Sequence, residues 1–199
     1  MINKFSINKE YKSRETYAHY DDTQNQDEWQ LEVYLKAKDI MERNNYNNVL
    51  DVGCGSGYKL INYLGKFNTV GTELQVNLNF LGNKYPKNKW ILSDFTSIPD
   101  LSCDLLICSD VIEHLINPDE LMDYLSAINF KILLLSTPER ELVYEPGSKY
   151  LKEPPRNLTH VREWNYNEFK NYVKKYFKII DHCISNRQQW TQLITCKKK

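Results

Sequence analysis

Residues 49–57 read VLDVGCGSG, an aliphatic run that contains Asp51 and is followed by glycines at every second position. A short aliphatic run bounded by glycine is typical of a buried strand. Glycine also lets the backbone turn sharply and approach a ligand closely, because it has no side chain to collide. The stretch therefore predicts a strand that turns through a glycine-rich loop into a helix, with a ligand above the loop.

A dinucleotide-binding loop would have a different glycine spacing. The GxGxxG pattern requires its third glycine three residues after the second. Here Gly57 stands two residues after Gly55, and Tyr58 occupies the required position. This spacing weakens the interpretation of the chain as a nicotinamide-dependent dehydrogenase.

Short apolar runs alternate with helical patterns on both sides of the glycine loop. The predicted strands cover residues 49–52, 69–73, 90–93, 104–109, 132–136, 177–183 and 190–196. Strand, helix and strand in repetition indicate a parallel sheet with right-handed crossovers. The short connection before residue 190 makes the last two strands antiparallel neighbours. We predict an α/β fold with a Rossmann-like, seven-stranded, mostly parallel sheet, helices on both faces and the last strand antiparallel.

Several helices carry their own signals. The leading helix is predicted from apolar residues at helical spacing: Trp29, Val33, Ala37, Ile40 and Met41. Asn117 before Pro118 predicts a capped helix start, and Asn165 with Glu168 has the spacing of a capping box.

Length and charge limit the functions to consider. The 199 residues suit one α/β domain, and 26 basic residues balance 26 acidic ones. A net charge of zero argues against nucleic acid or an anionic membrane as partner. We predict a single domain over residues 1–199, with residues 1–24 as a flexible arm or lid and residues 138–164 as a loop on the substrate side.

The five cysteines are odd in number and lack the spacing of a zinc site. The polar N-terminal stretch has no apolar core of a signal peptide or anchor. We therefore expect reduced thiols, a cytoplasmic location and no contact with a membrane. The sequence does not predict an oligomeric state.

With Asp51 included, the glycine loop closely resembles motif I of the class I S-adenosylmethionine-dependent methyltransferases, a hydrophobic strand followed by D-x-G-x-G-x-G. In this family an acidic residue after the second strand binds both ribose hydroxyls, and Glu73 has that place. Asp94 matches the family's third motif, in which an acidic residue accepts from the adenine amino group and the next residue, here Phe95, lies beside the ring. The resemblance covers roughly residues 29–196.

Residues 103–115, CDLLICSDVIEHL, resemble the small-molecule methyltransferases, in which the chain after the fourth strand borders the sulfonium. The resemblance implies a cofactor, S-adenosyl-L-methionine, held by Asp51, Gly53, Cys54, Gly55, Gly57, Glu73, Leu74, Asp94, Phe95, Ser109, Asp110 and Val111. Glu113, His114 and His160 are the candidate catalytic residues, and either histidine could take the proton of a substrate hydroxyl. A purely structural histidine that bonds the neighbouring loop remains the alternative for His114.

A metal site is a second possibility at this place. Ubiquinone-biosynthesis O-methyltransferases and small-RNA 2′-O-methyltransferases have Glu-x-x-Glu-His, which with a distant histidine can hold a divalent cation. Asp110, Glu113, His114 and His160 resemble that set, but an aspartate replaces the first glutamate. We therefore predict no metal and leave this alternative open.

The loop of residues 138–164 has five basic and five acidic residues, a balance that argues against a nucleic-acid clamp. Arg156 or Arg162 could hold one phosphate. Aromatic residues suited to a flat or sugar-like substrate are Tyr144, Tyr150, Trp164 and Tyr166. Residues 17–20 and Trp29 could close over the cofactor as a lid.

These features predict O-methylation of a small polar acceptor, such as a sugar or a nucleotide-linked sugar. One alternative is a metal-assisted RNA 2′-O-methyltransferase or a quinone-type O-methyltransferase. The alternative of another class is a non-catalytic binding module on a methyltransferase fold. Such a module would tend to lose the glycines or Glu73, and this chain has both.

Overall fold

The computed structural model describes residues 2–16, 18–97 and 100–199. The strands are β1 (Asn48–Val52), β2 (Asn68–Glu73), β3 (Lys89–Leu92), β4 (Leu105–Ser109), β5 (Ile132–Pro138), β6 (Lys178–Asn186) and β7 (Thr191–Lys197). The helices are α1 (Leu31–Arg43), α2 (Tyr58–Leu64), α3 (Gln75–Lys84), α4 (Pro118–Ala127), α5 (Arg140–Val143) and α6 (Tyr166–Val173). Short 3-10 helices cover Ile112–His114 and Lys149–Leu151.

The seven strands form one sheet in the order β3-β2-β1-β4-β5-β7-β6. Strands β1 to β5 pair in parallel, whereas β7 runs antiparallel to both β5 and β6. This arrangement confirms the predicted Rossmann-like sheet with its antiparallel last strand. All seven predicted strands form, and the observed ends differ from the predicted ones by a few residues at most.

The core lies on both faces of the sheet. In β4, Leu106 and Cys108 join the cluster that contains α4 and α6 residues, whereas Leu105 and Ile107 join the cluster that contains α1, α2 and α3 residues. Alternate side chains of a strand point to opposite faces, so a strand that is covered twice is apolar throughout. This is why β4 reads as a continuous apolar run.

Two helix starts differ from expectation. Helix α1 begins at Leu31, so Trp29 lies before it and is half exposed instead of packing with the other apolar residues. Asn117 stands at the N-cap of α4, but its side chain donates to Glu120 Oε1 and caps no backbone N–H. The capping box of Asn165 and Glu168 at α6 forms as predicted.

Residues 2–16 pack against the loop of residues 138–164. Ile7 and Tyr11 are buried, and the indole of Trp164 donates to the carbonyl of Phe5 at 2.9 Å. The first part of the predicted arm is thus packed against the protein. Its apolar side chains show no helical or strand periodicity, but they are buried by contacts with distant parts of the chain. A lid would fall to residues 18–30, which we call the strap; Tyr17, which the prediction included, lies outside the described residues.

None of the helices described is long and apolar enough to cross a membrane.

Candidate active site

A cavity of about 750 Å³ opens at the carboxyl ends of the parallel strands, where open α/β sheets bind ligands. Twelve of the predicted site residues line it: Gly53, Cys54, Glu73, Leu74, Asp94, Phe95, Ser109, Asp110, Val111, Glu113, His114 and His160. The three other predicted residues, Asp51, Gly55 and Gly57, lie behind the wall. The sequence motifs therefore converge on one cleft.

The glycine loop is shaped by positive backbone angles. Gly53 has φ +72°, and a Cβ built there would lie 2.5 Å from a methyl group of Val111. Gly57 has φ +67°, and its Cβ would lie 2.9 Å from Leu81 and Trp90. Only glycine adopts such angles at little cost. Glycine at position 57 thus leaves room for Leu81 of α3 and Trp90 of β3 to pack closely, and glycine at position 53 leaves room for Val111 in the cavity wall.

Asp51 is the second-last residue of β1 and is fully buried. Its Oδ2 accepts from the hydroxyl of Tyr34 at 2.8 Å, while Oδ1 has no hydrogen-bond partner among the described residues. Burial raises the pKa of Asp51 to about 7. A buried carboxylate oxygen without a donor is costly, but Asp51 lies behind the cavity wall, so the structure gives it no direct access to a ligand in the cavity.

Glu73 is the last residue of β2, and its side chain links β2 to the glycine loop that follows β1. Its Oε2 accepts from the N–H of Gly55 at 2.9 Å, and its Oε1 accepts from the N–H of Leu74 at 2.8 Å. Burial raises the pKa of Glu73. Each carboxylate oxygen has a further lone pair, so the group can still accept from the two hydroxyls of a ribose.

Asp94 and Phe95 follow β3 at the rim of the cavity. Asp94 is exposed, and its Oδ1 accepts from the N–H and the hydroxyl of Thr96, which lower its pKa. Phe95 has φ +67° and meets Tyr124 edge to face, with ring centres 5.3 Å apart.

Asp110 follows β4 with φ +52°, an unusual angle for an aspartate. Its Oδ1 accepts from the Ser136 hydroxyl at 2.6 Å, and its Oδ2 accepts from the Gln30 amide at 3.1 Å. Burial raises the pKa of Asp110. Both oxygens thus hold neighbouring chain segments together.

His114 has a tautomer fixed by its surroundings. Its Nδ1 lies 3.0 Å from the carbonyl oxygen of Thr159, so this nitrogen carries the proton and donates, and Nε2 is left as the acceptor. The ring stacks on Tyr20, with centres 6.1 Å apart. Burial, followed by the proximity of His160, lowers the pKa of His114 to about 4. The imidazole is therefore neutral at neutral pH.

His160 is bonded at both nitrogens. Its Nδ1 lies 2.6 Å from Glu163 Oε1, and its Nε2 lies 3.0 Å from the Asn157 amide nitrogen. The ring meets His114 edge to face at 4.9 Å. Of the two histidines, His114 is therefore the one with an acceptor nitrogen left for a substrate.

Glu113 lies beneath the histidines and is fully buried. Its Oε2 accepts from the Thr137 hydroxyl at 3.0 Å, and burial raises its pKa well above the usual value. One ligand atom each of Glu113, His114 and His160 lie within 4.8 Å of one another, a spacing that could hold a metal ion. Asp110, the fourth residue of the metal alternative, does not belong to this group.

The two arginines that could hold a phosphate, Arg156 and Arg162, have different surroundings in the structure. Arg162 is buried and donates to the carbonyls of Leu115 and Ile116, so it is not available for a phosphate. Arg156 is exposed and lines the cavity. Of the four aromatic residues, only Tyr144 lines the cavity, whereas Tyr150, Trp164 and Tyr166 pack elsewhere.

Further wall residues, which the sequence did not predict, come from the strap, the β6–β7 turn and α2. The main ones are Asp22, Gln30, Lys59, Gln189 and Trp190. Lys59 Nζ donates to the carbonyl of Gln26 at 2.8 Å, and Ser56 Oγ donates to that of Asn25 at 2.6 Å. The sequence signal that could have pointed to Asp22 is the pair of acidic residues at positions 21 and 22 within the predicted arm or lid.

These groups fit S-adenosylmethionine. Glu73 lines the cavity and offers acceptors to a diol, and the loop presents glycine where a side chain would fill the cleft. The fit rests on donor and acceptor chemistry together with the shape of the cleft.

Comparisons with known proteins agree with this arrangement. The family described as "Methyltransferase domain" matches residues 17–191. No curated protein matches the sequence. Among solved structures, an S-adenosylmethionine-dependent methyltransferase from Clostridium acetobutylicum ATCC 824 is similar, with TM-score 0.63 and 18% identity over 84% of this chain and 90% of that one.

Two further structures have the same fold. Magnesium protoporphyrin IX methyltransferase from Synechocystis PCC 6803, with bound SAH, has TM-score 0.60 and 14% identity over 85% of this chain and 83% of that one. The methyltransferase domain of a bacterial protein, CtHen1, has TM-score 0.63 and 18% identity over 83% of this chain and 97% of that one. At such identities the likeness concerns the fold.

Proposed function

The chain belongs to the methyltransferase-domain family and uses S-adenosylmethionine as its cofactor, and from this membership we propose that it methylates a hydroxyl group of a small polar acceptor. A sugar or a nucleotide-linked sugar is the proposed acceptor class. The observation that carries the proposal is the neutral His114, which lines the cavity with its Nδ1 bonded to Thr159 and its Nε2 left as the acceptor.

Each group has a distinct task in this proposal. Glu73 holds the ribose part of the cofactor, and the glycine loop lets the cofactor lie against the backbone, while Asp51 stays bonded to Tyr34 behind the wall. S-adenosylmethionine supplies a methyl group on a positively charged sulfur. His114 Nε2 accepts the hydroxyl proton while the acceptor oxygen bonds the methyl carbon and the carbon–sulfur bond breaks. The cavity walls align the acceptor and exclude water.

Polar groups that line the cavity support the proposed acceptor class. Tyr144, Asn157 and Thr159 offer hydroxyl and amide groups, and Arg156 adds a positive charge at the exposed end. Within the described part of the chain the guanidinium of Arg156 has no carboxylate partner. A phosphate or carboxylate of the acceptor would pair with it.

A screen of acceptors tests the proposal directly. The purified protein would be incubated with labelled S-adenosylmethionine and panels of sugars, nucleotide-linked sugars, catechols and short RNAs. We expect labelled product from a sugar-containing panel, with the label on oxygen. Transfer to catechols or RNA alone would contradict the proposed acceptor class.

Arg156→Gln should raise the KM for a nucleotide-linked sugar by roughly 10- to 100-fold, because a charge-assisted bond to phosphate contributes about 1.5–3 kcal/mol. The KM for S-adenosylmethionine should not change. Lys149→Gln is the matched control, since Lys149 lies in the same loop but its ammonium group sits over the Tyr150 ring. Equal effects of the two variants on the acceptor KM would refute a specific role of Arg156.

The cluster of Glu113, His114 and His160 favours a metal-assisted O-methyltransferase as a second candidate. In that case Glu113 would have to lose the proton that its raised pKa favours. We expect turnover to persist after treatment with EDTA and dialysis. Loss of turnover, with recovery on adding Mn²⁺ or Mg²⁺ and no recovery in His160→Ala, would favour the metal-assisted reaction instead.

The five cysteines are free thiols in the structure. A reducing compartment would keep them so, and a cytoplasmic location is therefore part of the proposal.

A further inference from the structure

The carboxylate of Asp22 lies directly on Gly55, the middle glycine of the loop. A Cβ built on Gly55 would collide with Oδ2 of Asp22 and lie 2.5 Å from its Cγ. The Gly55 N–H meanwhile donates to Glu73 Oε2 at 2.9 Å. The bare face of this glycine, which would otherwise admit a ligand, is thus covered by a side chain of the protein.

Asp22 also screens Gly55 from the cavity. Gly53, Cys54 and Ser56 all line the cavity, whereas Gly55 between them does not, and Asp22 lines it in its place. A cofactor that lies along the whole loop would have to take the position of this carboxylate. The obstruction therefore coincides with the cofactor side of the site.

Electrostatics make the covering contact easy to displace. Burial, followed by the nearby Glu73, raises the pKa of Asp22 to about 6. Asp51 is a third carboxyl group, which lies behind the cavity wall and whose pKa is raised in part by repulsion from Glu73 and Asp22. Lys59 offsets part of this repulsion. A contact between like charges in a poorly solvated place is unfavourable, so a ligand needs to contribute little to open it.

The strap can release Asp22 without coming off the protein. Its later residues are held by Ser56 and Lys59, which donate to the carbonyls of Asn25 and Gln26, and by Gln30, which donates to Asp110. Residues 22–25 form a turn, in which the Asn25 N–H donates to the carbonyl of Asp22 at 2.9 Å. This turn connects Asp22 to the anchored residues that follow it. A change in that turn is enough to withdraw Asp22.

We propose that Asp22 is a determinant of cofactor affinity that competes with the cofactor for the glycine loop. Its carboxylate occupies the face of Gly55, and S-adenosylmethionine or S-adenosylhomocysteine must displace it. The apparent dissociation constant then exceeds the intrinsic one by the inverse of the fraction of molecules with the loop uncovered.

Calorimetric titration with S-adenosylhomocysteine and with S-adenosylmethionine tests this competition. Asp22→Ala should bind both ligands about tenfold more tightly than the wild type if the loop is covered in roughly nine-tenths of the molecules. Asp21→Ala is the matched control, because Asp21 is the exposed neighbour whose Oδ1 accepts from the Thr23 N–H. The control should bind like the wild type.

Unchanged or weaker binding by Asp22→Ala would overturn the proposal, and weaker binding would make Asp22 a cofactor ligand. Equal tightening by Asp21→Ala would also overturn it, since general loosening of the strap would then be the cause. Asp22→Asn keeps the shape and removes the charge, so it separates steric from electrostatic competition: an affinity near that of the wild type indicates a steric block, and an affinity near that of Asp22→Ala indicates an electrostatic one. Binding is the readout, so the test does not depend on the acceptor.

Discussion

Glu73→Ala is expected to weaken the binding of S-adenosylmethionine by about a hundredfold or more, because two hydrogen bonds to a charged acceptor contribute roughly 1.5–3 kcal/mol each. The same change removes the acceptor of the Gly55 and Leu74 N–H groups, so the glycine loop also loses its support. Calorimetry with the purified variant measures the loss.

Two further variants show whether the effect is specific. Glu73→Gln keeps the shape and one acceptor oxygen, so it should lose less affinity than the alanine variant. Glu42 lies on α1 and has an exposed carboxylate that pairs with Lys66. The Glu42→Ala variant should bind the cofactor like the wild type. If Glu73→Ala bound within a factor of about three of the wild type, the assignment of Glu73 to the ribose would be wrong.

His114→Ala is expected to lower kcat by about 10²–10⁴-fold, the usual contribution of a general base. Cofactor affinity should be unchanged, because the proposal assigns His114 to the acceptor hydroxyl and not to the cofactor. His182→Ala is the matched control: His182 also has its pKa lowered to about 4 by burial, but it stacks on Tyr166 and does not line the cavity. A full rate in His114→Ala would exclude the base role.

The pH profile gives an independent check on His114. A lowered pKa means that the neutral, proton-accepting form persists as the pH falls and is lost only near pH 4. We therefore expect kcat to stay level from pH 8 down to about 5, whereas an ordinary histidine would give a decline near pH 6.5. An acid limb near 6.5 would contradict the assignment.

The sheet could be predicted closely because its signals are local. Strands β1, β4 and β5 are short, largely apolar runs, and β1 is followed by glycines that the turn requires. Helix α1 was placed slightly early because Trp29 matches the apolar spacing by chance while lying outside the helix. Periodicity identifies a face of a helix but does not fix its first residue.

The candidate site could be predicted where one chain segment carries the chemistry. Glu73, Asp110 and His114 each follow a strand, so the topology alone brings them to one edge of the sheet. Asp22 and Trp190 could not be found in this way, because they reach the cavity through tertiary packing of the strap and the β6–β7 turn. The sequence left Arg162 as a candidate ligand for a phosphate, but in the structure its guanidinium donates to the carbonyls of Leu115 and Ile116.

The packing of residues 2–16 on the loop of residues 138–164 has a consequence for how the protein folds. The bonds from Trp164 to Phe5 and from Arg14 to Pro155 join positions 159 and 141 residues apart. Closing such long loops costs chain entropy before any contact repays it, so structures rich in distant contacts form slowly. During synthesis residues 2–16 must wait for nearly the whole chain, and the acceptor side of the cavity is assembled late.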